Sequence, residues 1–364
     1  MTSASLFPTP VVTVSELDFL EREPTALRVL ALAWGGLVAT AVAIPGSAAL
    51  DNLIAKIGST HLAADWGAAL AGPTVEEIAK TLGVVAIVLI ARAQVNSVLD
   101  GVVYGAMVGL GFQTVENIVF AVGAVALAGQ GDDVQPVVST FLLRGFLAGI
   151  WSHTMFGALA GAGIGYLVVR HDRPRRIRIG VAALCVTGAW ACHMLWNSPL
   201  LTDGLGEGAL ALLAVLLLKG LSPLIGTLWL VRRAHGREGD YYAGHLATLR
   251  DPELITEAEL AVLRSSARRS AARWHAGHVA GGRARSAVRR LQRAQARLAV
   301  ELSRGASVSR CCDDVRSQRR TLIGLGHPEA LDGGSSWRRL GSTAGPVVLA
   351  IAVLWAALTA LGGG

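Results

Sequence analysis

Three ionisable side chains stand close together in an otherwise apolar stretch of the chain. Glu76, Glu77 and Lys80 fall within one and a half helical turns, at the head of an apolar run that continues to Ile90. Charged side chains inside a bilayer are costly and persist where they face a polar interior or perform chemistry. On a helix, Lys80 can neutralise one carboxylate and leave the other available for general acid/base work. A structural ion pair near a helix end is the alternative interpretation of this stretch alone.

The composition indicates an integral membrane protein. Of the 364 residues, 52% are hydrophobic and only 16% are charged, and the mean hydropathy of +0.49 is beyond that of ordinary soluble domains. The 43 glycines suit close helix-to-helix approach within a membrane. We therefore predict an all-α fold, a polytopic membrane helix bundle with about seven transmembrane helices. The expected spans are 28–44, 74–91, 98–126, 139–169, 178–199, 207–231 and 345–361.

The connections between these spans follow from the same pattern. Pro73 is a favoured first helical residue, so it is expected to open the second span. Residues 51–66 are then expected to form an external connection. No cleavable signal peptide is evident, since the polar residues 1–27 lack a basic start followed by an apolar core.

Basic residues predict the orientation, because Lys and Arg accumulate in cytoplasmic loops. The net charge of +7 is concentrated in the loop at 170–178 and in the stretch after Val231, so both are expected in the cytoplasm. The N-terminus is then cytoplasmic. The predicted domains are a cytoplasmic N-terminal arm at 1–27, a transmembrane core at 28–231, a basic cytoplasmic helical region at 232–344 and a C-terminal transmembrane helix at 345–364.

Further residues of catalytic type occur in three later apolar runs. Glu116 and Asn117 lie in the third predicted span, His153 in the fourth, and His193 and Asn197 in the fifth. Counted from the cytoplasmic ends of the spans, the carboxylates and histidines all lie about 21 to 27 Å up, at about 1.5 Å per residue. We therefore predict one shared site in the outer half of the membrane.

Glutamates and histidines at one depth can activate a water for attack on a carbonyl. They do so by general-base catalysis or by binding a metal ion that lowers the pKa of the water. His193 and Asn197, one turn apart, can donate two hydrogen bonds to a tetrahedral oxyanion. Hydrolysis of a peptide bond in or beside the bilayer fits this set, although each histidine alone could instead join two helices by a hydrogen bond.

Taken together, the motifs resemble the PrsW family of intramembrane proteases, within the larger group that includes the type II CAAX prenyl proteases. The resemblance covers roughly residues 34–231, and residues 232–364 lie outside it. The matching motifs are Glu76-Glu77-x-x-Lys80, Phe112-x-x-x-Glu116-Asn117, His153 and His193-x-x-x-Asn197.

The resemblance implies a multi-pass peptidase of the bacterial cytoplasmic membrane, with residues 28–231 as its peptidase core. Such an enzyme makes an extracytoplasmic-side cut in a single-span membrane substrate, for example an anti-sigma factor. Its expected partners are that substrate and the lipid bilayer, with no nucleic acid.

The resemblance also implies roles for single residues. Glu76 and Glu77 activate water, with Glu76 the favoured base, and Glu116 orients that water or binds metal. His193 and Asn197 line the oxyanion site. The supporting residues are Lys80, Asn117 and His153.

The second motif departs from the CAAX-type relatives, which have histidine where this chain has Glu116. A metal-free glutamate protease and a metalloprotease therefore both remain open. In the second case His153, His193 and Glu116 could form a three-ligand zinc site.

Two other functions compete with proteolysis. A proton- or ion-coupled transporter also uses buried carboxylates and histidines, although the inverted repeats typical of many transporters are not evident. A non-catalytic membrane sensor or scaffold would use the basic region at 232–344 as its working part. In that region His275 and His278 are interpreted as part of a solvated basic face.

Overall fold

The computed structural model describes residues 23–128, 135–140, 152–200 and 209–333. Every regular element among these residues is helical, which confirms the all-α fold class for them. The arm before residue 23 and the predicted span at 345–361 lie outside the described residues. The helices are α1 (Thr25–Ile57, with a π-helical turn at Trp34–Ala39), α2 (Thr60–Ile90), α3 (Val98–Ala128), α4 (Gln135–Thr140), α5 (His153–Val169), α6 (Arg175–Asn197), α7 (Ala209–Ala247), α8 (Glu257–Leu263), α9 (Ser266–Ser303) and α10 (Ser309–Gly324).

The described chain divides into two compact units after Val231. The first unit contains α1 to α6 and the apolar part of α7. The second contains α8 to α10 and the residues that precede them from Arg232 onward. The division falls where the sequence changes from apolar to Arg-rich.

Three helices of the first unit, α1, α3 and α6, are long and apolar enough to cross a membrane, and α5 is a shorter apolar helix. They present large aliphatic side chains outward, among them Leu127, which is 90% exposed, and Leu184, which is 71% exposed. Such a surface is typical of a protein in contact with lipid rather than water. The count of seven spans stays a prediction.

The connection expected at 51–66, for which an interfacial helix was also considered, is shorter than predicted. Helix α1 continues to Ile57, and α2 begins at Thr60 after only two intervening residues. The start of α2 is fixed by Ser59, whose hydroxyl accepts a hydrogen bond from the backbone N–H of Leu62 at 3.0 Å. An N-cap of this kind satisfies an amide that the first helical turn would otherwise leave without a partner.

The sequence had suggested that Pro73 would be the first residue of a helix. It lies instead in the interior of α2. Its ring removes one N–H from the helical hydrogen-bond ladder. On the next residue, the Thr74 hydroxyl donates to the Leu70 carbonyl at 2.6 Å and accepts from the Trp190 indole at 3.0 Å. These contacts tie the turn that contains the proline to α6, so the helix tolerates it.

Helices α3 and α5 approach each other so closely that their backbones touch. A Cβ at Gly105 would lie 2.0 Å from the carbonyl oxygen of Gly157, and a Cβ at Gly109 would lie 1.9 Å from the carbonyl oxygen of His153. Small residues permit this approach, which maximises dispersion contact where no hydrophobic effect drives helices together. The contact also fixes the start of α5 against the middle of α3.

The second unit has a hydrophobic core of its own. Leu291, Leu298 and Leu322, from α9 and α10, are fully buried in it. Arg319 pairs with Glu259 through two hydrogen bonds of 3.1 and 2.6 Å, both within that core. Because the arginine fork matches the carboxylate geometry, the pair is satisfied despite its burial.

We expect Gly105→Ala to destabilise the first unit by about 1–3 kcal/mol, because the added methyl group overlaps a carbonyl oxygen of α5. The matched control is Gly123→Ala on the same helix, where a Cβ would meet nothing within 4 Å. There the higher helix propensity of alanine should leave stability unchanged or raised. Thermal unfolding in detergent measures both, and equal midpoints for the two variants would contradict this packing.

Candidate active site

Four helices of the first unit bring the predicted site residues into one cluster. Helix α2 contributes Glu76, Glu77 and Lys80 from its middle, and α3 contributes Glu116. His153 is the first residue of α5, and α6 supplies the remaining members near its end. These are His193 and Asn197.

The centre of the cluster is a buried ion pair on α2. Lys80 Nζ lies 2.5 Å from Glu77 Oε1, with side chains only 1% and 3% exposed. The ammonium also lies 4.7 Å from the centre of the Phe112 ring, a cation–π contact. Breaking a buried pair leaves an uncompensated charge, so neither partner can be lost cheaply.

His153 is held by two groups of opposite sign. Its Nε2 lies 2.9 Å from Glu116 Oε2, and its Nδ1 lies 2.9 Å from Lys80 Nζ. An ammonium can only donate, so Nδ1 is the acceptor, and the ring proton is assigned to Nε2, which donates to Glu116. His153 is therefore a neutral imidazole whose Nδ1 lone pair accepts from Lys80, and an ion bound at Nδ1 would take the place of this hydrogen bond.

His193 has the same arrangement with different partners. Its Nδ1 donates to Glu77 Oε1 at 2.8 Å, and its Nε2 accepts from the Asn197 amide at 3.3 Å. Asn197 also donates to the Ala68 carbonyl of α2 at 3.2 Å. Each histidine thus has one ring nitrogen on a carboxylate and a lone pair on the other.

Glu76 lies between the two lone pairs. Its Oε2 is 3.8 Å from His153 Nδ1 and 3.8 Å from His193 Nε2, too far for hydrogen bonds. This oxygen is buried and has no hydrogen-bond partner, and the Lys80 ammonium lies 3.9 Å away as an ion pair. Burying a carboxylate oxygen without a hydrogen bond costs free energy, so the position of Glu76 Oε2 near two histidine nitrogens needs an explanation.

A divalent metal ion fits this donor set. The ligand atoms of Glu76, His153 and His193 all lie within 4.8 Å of one another. A carboxylate on the far nitrogen of each ligating histidine is the usual outer support of such a site, and here these carboxylates belong to Glu77 and Glu116. If Glu76, Glu77 and Glu116 are all ionised, with Lys80 protonated and both histidines neutral, the cluster carries two negative charges, which a divalent cation would neutralise.

Two phenylalanines fix the histidine rings. Phe156 stacks on His193 with ring centres 5.0 Å apart and an angle of 18°, and Phe112 lies 5.0 Å from His153. Phe156 was not among the site residues predicted from the sequence. Its spacing of three residues from His153 on one helix was the available signal, but an aromatic residue at that spacing is common in any helix core.

A cavity of about 680 Å³ opens onto the cluster. Glu77 and Lys80 are not among its lining residues, whereas the remaining predicted site residues are. These are Glu76, Glu116, Asn117, His153, His193 and Asn197. The cavity also has five polar or aromatic lining residues that were not predicted from the sequence as site residues, which are Ser47, Asp51, Phe120, Ser152 and Trp196.

Comparison with known proteins identifies the family. The sequence model of the PrsW family of intramembrane metalloproteases matches residues 23–221, more than half of the chain. The chain belongs to the PrsW family. It is accordingly a membrane protease, a hydrolase of intramembrane proteolysis. Comparison with curated proteins and with solved structures gave no match.

Membership of the PrsW family supports proteolysis over the transporter and scaffold alternatives. The metal-capable group differs in one member from the one that the sequence suggested. Glu76 joins His153 and His193 in it, whereas Glu116 binds the opposite nitrogen of His153. Sequence spacing could not distinguish these two glutamates, because it does not reveal which ring nitrogen of His153 each one lies closest to.

We expect Lys80→Met to destabilise the protein by about 3–5 kcal/mol, because Glu77 would be left buried without its cation. The double variant Lys80→Met/Glu77→Gln should recover part of this loss, since it removes the uncompensated charge. Lys56→Met, at an exposed position near the end of α1, is the control. Unfolding followed by tryptophan fluorescence measures all three, and a single variant as stable as the control would contradict the ion pair.

Proposed function

We propose that this PrsW family protein is an intramembrane endopeptidase that cuts a single-span membrane protein near the extracytoplasmic side. In this proposal Glu76, His153 and His193 hold a divalent metal ion, with zinc the best match to a nitrogen and oxygen donor set. The observation that carries it is the unpartnered Glu76 Oε2, 3.8 Å from one lone-pair nitrogen of each histidine.

The remaining charged residues support the ligands. Glu77 accepts from His193, and Glu116 accepts from His153, so each carboxylate fixes the tautomer and orientation of one ring. Lys80 neutralises Glu77 and keeps it in place behind the cavity. This division of labour explains why two adjacent glutamates are present when only one lines the cavity.

The chemistry of the reaction needs an activated water and a proton carrier. When bound, the ion lowers the pKa of a water ligand and polarises the carbonyl of the scissile bond. Glu116, the other glutamate on the cavity wall, accepts the proton of the attacking water. As the water oxygen bonds to the carbonyl carbon and the C–N bond breaks, Glu116 returns that proton to the leaving nitrogen.

In this scheme, metal binding at His193 frees one hydrogen-bond donor of Asn197. Its amide donates to His193 Nε2, the nitrogen that we assign as a metal ligand. Once that lone pair is engaged, one Asn197 N–H is available to the developing oxyanion. Asn117, also on the cavity wall, lies where it can hold the substrate backbone.

The depth of the cluster supports cleavage near the outer face. Measured along the helices, Glu76 lies about 21 Å from Ile90, and His193 about 27 Å from Arg175, at about 1.5 Å per residue. Both helix ends flank basic segments, which we assign to the cytoplasm. In a hydrocarbon core about 30 Å thick, the cluster then lies in the outer half.

We expect the purified protein to bind about one zinc ion and to cleave a single-span reporter in liposomes. Glu76→Gln, His153→Ala and His193→Ala should lose both zinc and cleavage. Glu116→Gln should still bind zinc at saturating concentration, with an affinity about 10- to 100-fold lower because His153 loses its carboxylate partner. It should lose cleavage by about 10²- to 10⁴-fold, since it also removes proton transfer. Metal analysis and a gel assay on the same preparations measure both properties.

Asp65→Asn is the matched control, because Asp65 is an exposed carboxylate of α2 paired with His61 outside the cavity. It should retain zinc and activity. Full cleavage after complete removal of metal would instead assign water activation to a glutamate alone. Loss of zinc in Glu116→Gln, with zinc retained in Glu76→Gln, would restore the ligand set first expected from the sequence.

A further inference from the structure

One carboxylate on the cavity wall has no part in the proposed chemistry. Asp51, on α1, lines the same cavity as the cluster. Its Oδ1 is buried without a hydrogen-bond partner, and it lies 1.9 Å from the position that a Cβ on Gly67 would occupy. The absence of a side chain at Gly67 is therefore what lets this carboxylate lie between α1 and α2.

The charge of the cavity wall makes this residue informative. Asp51, Glu76 and Glu116 all line the cavity, whereas no lysine or arginine is among its described lining residues. The proposed ion accounts for the charges near the histidines. Asp51, on α1 next to Gly67 of α2, lies outside that group and has no cation beside it among the described lining residues.

The α2 side of the cavity, before the cluster, is lined by small residues. They extend over residues 63–72, about 14 Å of helix. An extended peptide rises about 3.3 Å per residue, so this length matches about four residues of substrate in an extended conformation. The small residues on this face are Ala63, Ala64, Gly67, Ala68, Ala71 and Gly72.

The distance from Asp51 to the cluster can be compared with the length of an extended substrate. Gly67, which Asp51 contacts, precedes Glu76 by nine positions on α2, or about 13 Å. That distance corresponds to about four residues of an extended chain. The same level lies about 34 Å from Ile90, at the height of the outer headgroups, where a substrate can carry a charged residue at little cost.

We infer that Asp51 binds a lysine or arginine of the substrate about four residues from the scissile bond, on its extracytoplasmic side. The inference rests on the proposed function and adds a substrate class to it, namely single-span proteins with a basic residue at the outer end of the span. A charge-assisted hydrogen bond to an otherwise unpaired carboxylate supplies the selectivity.

The test uses single-span reporters that carry Lys, Ala or Glu at each of the second to sixth positions on the outer side of the mapped cleavage site. Wild-type protein in liposomes should prefer Lys at or next to the fourth position, with kcat/KM about tenfold above the Ala reporter. Asp51→Asn should remove the preference, and Asp51→Lys should reverse it toward Glu. Asp65→Asn should leave it unchanged.

A preference that is the same in wild type and Asp51→Asn would overturn the inference, as would equal cleavage of all reporters by wild type. Binding of the same reporters to Glu116→Gln, with and without Asp51→Asn, gives a readout that does not need cleavage. Tighter binding of the Lys reporter that depends on Asp51 supports the inference even if no reporter is cut. Absence of cleavage in wild type would count against the proposed function alone.

Discussion

The structure of the first unit depends on how one lysine is compensated inside an apolar bundle. Lys80 is 1% exposed and contacts Glu77, His153 and the Phe112 ring, which belong to three different helices. Burial of an ammonium is affordable only with such partners, so α2, α3 and α5 must meet at this point. The position of the lysine thereby determines the tautomer of His153 and the place of Glu77, and the accepting nitrogens of both histidines lie 3.8 Å from Glu76 Oε2.

A second constraint is steric. The glycines of α3 and α5 allow backbone contact, and the first residue of α5 is a histidine of the cluster. Charge pairing alone would not place His153 within 3 Å of two partners. Packed helices are usually about 8–10 Å apart, and side chains of different lengths span that distance to different extents. Close packing and charge pairing act on the same residue, and the proposed metal site exists where both are satisfied.

Much of this site could be predicted from the sequence, for a clear physical reason. Polar residues in apolar spans are costly, so Glu76, Glu77, Glu116, His153 and His193 were conspicuous, and the structure brings all five together. The ends of the helices, and which ring nitrogen each glutamate approaches, could not be predicted from the positions of polar residues. The cap at Ser59 outweighed the proline signal at Pro73, and the choice between Glu76 and Glu116 as metal neighbour depends on helix rotation, which spacing alone does not fix. Asp51 was placed in an external connection because the first span was expected to end at residue 44, whereas α1 continues to Ile57.

The contact between Gly109 and the carbonyl of His153 connects the packing of the bundle to the proposed metal site. Because the backbone of His153 contacts α3 directly, a separation of α3 from α5 would displace this histidine. An ion at the proposed site would therefore be thermodynamically linked to the docking of the two helices, so that each would strengthen the other by the same free energy.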